Sequence, residues 1–103
     1  MTRTTWRELH AERLASMTDE QRAEFDAAYD EASLAARVGE LVREARESAG
    51  LSQRELARGV GTTQAAISRI ELGSVGATLT TLQRIATSLG VDLEVSFRLR
   101  KAG

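Results

Sequence analysis

The chain reads as mainly α: a five-helix-type bundle with an extra N-terminal helix and one C-terminal β-strand. Three observations predict this. Apolar residues recur at helical spacing in short stretches between residues 18 and 89. Capping boxes and glycines cut those stretches into separate helices. From Val91 onward the spacing changes to strict alternation, the period of a strand.

Residues 1–17 admit two readings, a short helix lined by Trp6, Leu9, Arg13 and Leu14 or a frayed tail. Thr18-Asp-Glu-Gln21 is a capping box, so a helix begins there, with Asp19 and Glu20 in its electropositive first turn. Phe25, Tyr29, Ala32 and Ala36 share one face of it. Gly39 is expected to kink or end that helix, because a helical Gly costs about 1 kcal/mol relative to Ala. Val38, Leu41, Val42 and Ala45 form the next apolar stripe, closed by Gly50. Ser52-Gln-Arg-Glu55 is a second capping box. Thr62 or Thr63 caps the helix that follows, and Gly73–Gly76 closes it in a loop. Leu79, Leu82, Ile85, Ala86 and Leu89 make the last helical stripe, ended by Gly90.

The C-terminal segment alternates Val91, Leu93, Val95, Phe97 and Leu99 with Asp92, Glu94, Ser96, Arg98 and Arg100. A lone strand leaves its ladder groups unpaired. The expected partner is the same strand of a second copy, antiparallel across a two-fold axis, and the alternative is a sheet in another protein. The five apolar residues are therefore the expected homodimer interface.

The expected organisation is an acidic helical extension over 1–36, a helical domain over 37–90, and a dimerisation strand and tail over 91–103. Charge follows it. Residues 1–36 hold 4 Arg against 8 Asp and Glu, whereas residues 37–103 hold 10 Lys and Arg against 7 Asp and Glu. The front suits either solvation or a basic partner. With 103 residues, 42% hydrophobic and 28% charged, the chain fits one modest globular core. No Cys is present, so disulfides and thiolate metal sites are excluded. No apolar run of about 18 residues occurs, and the N-terminus lacks the apolar stretch of a signal peptide, so a cytoplasmic location without membrane contact is expected.

Residues 53–72 carry the chemistry. Ala57 is small where a second helix crosses closely, and Gly61 stands where a sharp turn asks for positive φ. Leu56, Val60, Ile67 and Ile70 are apolar where two short helices face each other. This is the layout of a helix-turn-helix, whose second helix enters the major groove of duplex DNA. Its outer face offers Thr63, Gln64, Ala65, Ser68 and Arg69. A Gln amide pairs with adenine N6 and N7, and an Arg with guanine O6 and N7, each contributing about 1–3 kcal/mol of discrimination. Ala65 and the Thr63 methyl suit a thymine methyl, and Ser68 a base or phosphate. Gln53 and neighbouring Ser52 suit a phosphate at a helix N-terminus, with Arg43 a further phosphate candidate.

These residues resemble the Cro/C1-type helix-turn-helix repressor domain over residues 38–90. The resemblance rests on Leu51-Ser-Gln53-Arg-Glu-Leu-Ala57, on Gly61-Thr-Thr-Gln64-Ala-Ala-Ile67-Ser-Arg69-Ile-Glu71-x-Gly73, and on Leu82-x-x-Ile85-Ala-x-x-Leu89-Gly90. It implies that Gln53 contacts phosphate, that Gln64, Ala65, Ser68 and Arg69 face bases, and that Arg46 pairs internally with Glu71. Two departures stand out. Leu72 replaces a frequent polar residue, and the loop 74–80 has no Lys or Arg, leaving backbone amides, Ser74 and Thr78 for phosphate work. Moderate affinity per monomer and dependence on dimerisation are expected. An acidic N-terminal helix, this domain and a terminal strand together resemble HigA-type antitoxins of type II toxin–antitoxin pairs. That resemblance implies an autorepressor that neutralises a basic RelE/HigB-like ribonuclease toxin, with Trp6, Phe25 and Tyr29 as candidate toxin contacts or, equally, as internal packing.

His10 is the only histidine and no metal-ligand spacing occurs, so no enzyme, cofactor or metal is expected. A stand-alone repressor and an interaction module with a vestigial motif are the alternatives. A two-fold dimer with recognition helices about 34 Å apart predicts an inverted-repeat operator with half-sites about 10 bp apart or a multiple of that.

Overall fold

Hydrogen bonding at the helix starts follows from the capping residues. In the computed structural model, which describes residues 6–100 apart from the side chains of Trp6, Arg7, His10 and Leu14, five helices form. These are α1 (Trp6–Ser16), α2 (Asp19–Ser48), α3 (Gln53–Val60), α4 (Gln64–Glu71) and α5 (Leu79–Leu89). At the start of α2, Gln21 N–H donates to Thr18 Oγ1 at 3.1 Å and Thr18 N–H to Gln21 Oε1 at 3.0 Å. At the start of α3, Glu55 N–H donates to Ser52 Oγ and Ser52 N–H to Glu55 Oε1, both at 3.0 Å. Each such cap stabilises by about 0.5–2 kcal/mol. Thr63 caps α4 and Thr78 caps α5.

The chain divides between Ser33 and Leu34 into two compact units. The first contains α1 and the beginning of α2, and there Phe25 and Tyr29, one turn apart, stack with ring centroids 6.5 Å apart. The second contains the remainder of α2 and α3 to α5. Its core joins Val42 of α2, Leu56 and Ala57 of α3, Ile67 and Ile70 of α4, and Ile85 of α5. Leu56 and Ile67 are wholly buried, each stabilising the fold by about 1.5–3 kcal/mol. Val38, Val60, Leu82 and Leu89 pack around them. Between α3 and α4 the chain reverses at Gly61, whose φ of 82° and ψ of 34° lie in the left-handed region, and its N–H bonds Ala57 O at 2.9 Å.

The structure corrects three expectations. Gly39 does not end a helix, for α2 runs through it to Ser48. The position is small because α4 ends against it. A Cβ on Gly39 would strike the Ile70 carbonyl and lie 2.7 Å from that of Glu71. Gly73 continues this approach, where a Cβ would lie 2.7 Å from Ala36 Cα. Next, Leu41 is exposed although its stripe neighbour Val42 is buried. At about 100° per residue the two sit on adjoining faces, and Leu41 shares its face with Leu34, two turns back and also exposed. Leu79 is exposed too.

The third correction concerns the C-terminus. Residues 91–100 have no regular secondary structure in the single chain, so the expected β-strand and its pairing across a dimer are not supported. A strand needs a ladder partner, and among the described residues no other strand exists to supply one. Of its five alternating residues only Leu93 is half-buried, whereas Val91, Val95, Phe97 and Leu99 are exposed.

The close approach at Gly39 predicts a contrast. Gly39→Ala destabilises by about 1–3 kcal/mol through overpacking, against the better helix propensity of Ala. Gly76→Ala, at an open position without positive φ, is neutral or slightly stabilising. Urea denaturation of both variants checks this, and equal stability of the two would refute the steric account of Gly39.

Candidate nucleic-acid interface

The site is organised around a carboxylate at the end of α4. Glu71 has a side chain only 2% exposed, and Arg46 of α2, 12% exposed, reaches it with two parallel bonds. Arg46 Nε donates to Oε2 at 2.7 Å and Nη2 to Oε1 at 2.9 Å. The same guanidinium donates through Nη1 to Leu51 O at 2.9 Å, holding the turn that leads into α3. Gln53, the first residue of α3, adds a bond from Nε2 to Glu71 Oε1 at 3.1 Å. One carboxylate thus ties α2, α3 and α4 together. Burial pushes its acidity toward the neutral form, but the bonds from Arg46 and Gln53 with the Arg46 charge outweigh it, and its pKa lies below the usual carboxylate value. In turn the hydrogen bonds to Glu71 raise that of Arg46.

With its inner face and C-terminal end held, α4 presents the opposite face to solvent. Its eight residues span about 12 Å along the axis, and its diameter with side chains, about 10–12 Å, fits the width of a major groove. Thr63 Oγ1 accepts from Ala66 N–H at 3.1 Å, which fixes the start of the helix and commits that hydroxyl's lone pair locally. Gln64, Ala65 and Arg69 are exposed, and Ser68 is half-buried. Arg69 Nε donates to Ala65 O at 3.3 Å, laying the side chain back toward the N-terminal end of α4. Ser52 and Arg43 are exposed, while Gln53 is half-buried and turned in part toward Glu71. Leu72, which follows α4, is 73% exposed.

The residues expected to face bases therefore share α4. Phe25 and Tyr29 belong to the first unit, where Tyr29 is exposed and Phe25 half-buried. Trp6 opens α1, and its side chain lies outside the described residues. What the sequence reading missed is the supporting role of Gly39 and Gly73 and the inward bond of Gln53. In the sequence, a Gly three residues from Val42 marks either a close crossing or a helix break, and nothing local separates the two.

A buttressed helix with a polar outer face, joined by a three-residue turn to a second eight-residue helix, defines a class of DNA-binding module. The Helix-turn-helix family model matches residues 42–95. The chain belongs to the Cro/C1-type helix-turn-helix family of DNA-binding transcriptional regulators. Among solved structures it resembles the restriction-modification controller protein C.AhdI from Aeromonas hydrophila, with 28% identity and a TM-score of 0.59, over 61% of this chain and 91% of that one. A comparison with curated proteins finds no match. Among the described residues no helix is long and apolar enough to cross a membrane.

Removing the Glu71 charge leaves Arg46, in a mostly buried place, with only the Glu47 carboxylate at 4.0 Å, so Glu71→Gln destabilises by up to about 3–5 kcal/mol, the cost of breaking a buried pair. Because the folded pKa of Glu71 is depressed, its contribution is fully present above the unfolded value of about 4.3 and is lost as pH falls through the lower folded value. Chemical denaturation of both proteins between neutral pH and pH 3 reads this directly. A stability gap that stays constant down to the acid end would contradict it.

Proposed function

We propose that this chain is a sequence-specific transcriptional repressor that acts as a dimer on an inverted-repeat operator. In this reading Gln64 and Arg69 read base edges, Ala65 and the Thr63 methyl meet thymine methyls, and Ser68 meets a base or phosphate. Ser52, Gln53 and Arg43 meet phosphates. Bound DNA then has to share Gln53 with Glu71, which leaves the Gln53 carboxamide in a fixed orientation rather than a free one. The role is binding, with no catalysis and no cofactor.

The observation that carries the reading is the combination of a fixed inner face and a free polar outer face on α4. Likeness to a restriction-modification controller protein supports a regulatory role. The experiment is fluorescence anisotropy on DNA upstream of this gene at one fixed salt concentration, since salt alone shifts affinity. Arg69→Ala weakens binding about tenfold, within the roughly 1–3 kcal/mol of a good bidentate base contact. Scrambled DNA shows no such contrast. Equal binding of both proteins to both DNAs would overturn the reading.

A second reading adds an antitoxin role, in which the acidic segment holds a basic RelE/HigB-like toxin. The stacked, partly exposed Phe25–Tyr29 pair on a carboxylate-rich helix favours it, because an aromatic face attracts Arg and Lys of a partner. Its test is co-expression with a small basic protein encoded beside this gene. The chain relieves growth inhibition and the Phe25→Asp, Tyr29→Asp double variant does not. If the neighbouring protein is harmless, or relief survives the double substitution, this role falls while the repressor reading stands.

A further inference from the structure

The second unit carries an open apolar groove that the DNA-facing side does not use. It has a volume of about 580 Å³ and is lined by Leu34, Val38, Leu41 and Ala45 of α2, by Leu82 and Leu89 of α5, and along one margin by residues 91–96. Leu34 and Leu41 are 64% and 62% exposed, a strip of large apolar side chains two turns long. Immediately after the margin-forming segment come Phe97 and Leu99, 102% and 96% exposed. A Phe side chain that remains fully exposed forgoes an apolar burial of about 150–250 Å². The chain therefore displays an empty apolar site and the apolar residues to fill it a few positions apart.

We propose that the groove receives the C-terminal arm of a second copy, with Phe97 and Leu99 of each protomer seated on Leu41 of the other. This rests on the dimeric reading above and specifies its contact. Exchange between copies follows from where the arm lies. The chain's own arm lines the groove only as far as Ser96 and leaves Phe97 and Leu99 outside it, fully exposed, so the side chains that fill the groove come from another molecule. Two-fold symmetry makes the exchange reciprocal. Charge supports the same occupant. Asp92 and Glu94 line the groove and Glu44 stands one turn from Leu41, with Arg37 the opposing charge. On the arm, Arg98 and Arg100 alternate with the apolar pair. Alternation sends Phe97 and Leu99 down and the two Arg side chains to the outer side, from which their long stems reach the acidic margin. The arm thus docks as an extended segment against helices and requires no β-ladder.

The chain has no Cys, so disulfide trapping has no background. Leu41→Cys and Phe97→Cys, both at exposed positions, are oxidised separately and as an equal mixture, with helicity checked by circular dichroism. The expected result is a disulfide-linked dimer in the mixture and its loss in either variant alone. A linked dimer from Phe97→Cys alone would replace the proposal with symmetric strand pairing. An intramolecular link in the Leu41→Cys, Phe97→Cys double variant would place the arm in its own groove and overturn it. No link in any sample, or a monomer of wild type by light scattering, would overturn it as well. The Arg69→Ala contrast on DNA is read in the same preparations. Its failure removes the repressor reading, and failure of the cross-link alone removes only the arm exchange.

Discussion

A single buried carboxylate decides how the recognition helix is held. Apolar packing alone would fix α4 against α3 and α5 only loosely in rotation and in sliding, because hydrophobic contact is non-directional. The two-bond fork from Arg46 is directional, and it acts at the end of α4 where leverage on the helix orientation is largest. Since Arg46 also holds Leu51 O and Gln53 shares the same carboxylate, the turn into α3 and the axis of α4 are set by one group. Every buried side-chain polar atom among the described residues has a partner, so the network is complete and stays on the favourable side of its desolvation cost.

That network depends on backbone proximity. Arg46 can meet the end of α4 because Gly39 and Gly73 let the α2 and α4 backbones approach without intervening Cβ atoms. The glycine in α2 lowers local helix propensity and is retained in a helix of 30 residues. Tertiary contact overrides propensity there, which is why the helix continues where its local sequence points to a break.

Much of the second unit was legible in advance. The capping boxes at Thr18 and Ser52 form as their spacing indicates, because they depend on residues only three apart. The turn at Gly61 and the inward set Leu56, Ile67 and Ile70 were readable for the same local reason. So was the Arg46–Glu71 pair, though only through family resemblance, since 25 positions separate the partners. The long-range crossing at Gly39 was not legible, because a glycine that permits an approach and one that breaks a helix look alike in one dimension. The strand expected over 91–100 is not supported by the single chain for a related reason. Alternation records that one side of an extended segment is apolar, and it does not say whether the surface it meets is a strand or a pair of helices.

The outer residues Gln64, Ala65 and Arg69 are exposed and lie outside the buried core. Substitutions there leave the packing of Ile67 and Ile70 and the Glu71 clamp in place. Foldability is therefore written in other letters of this eight-residue helix than those its outer face displays. A lineage carrying this scaffold can change the outer letters with little risk of passing through an unfolded ancestor.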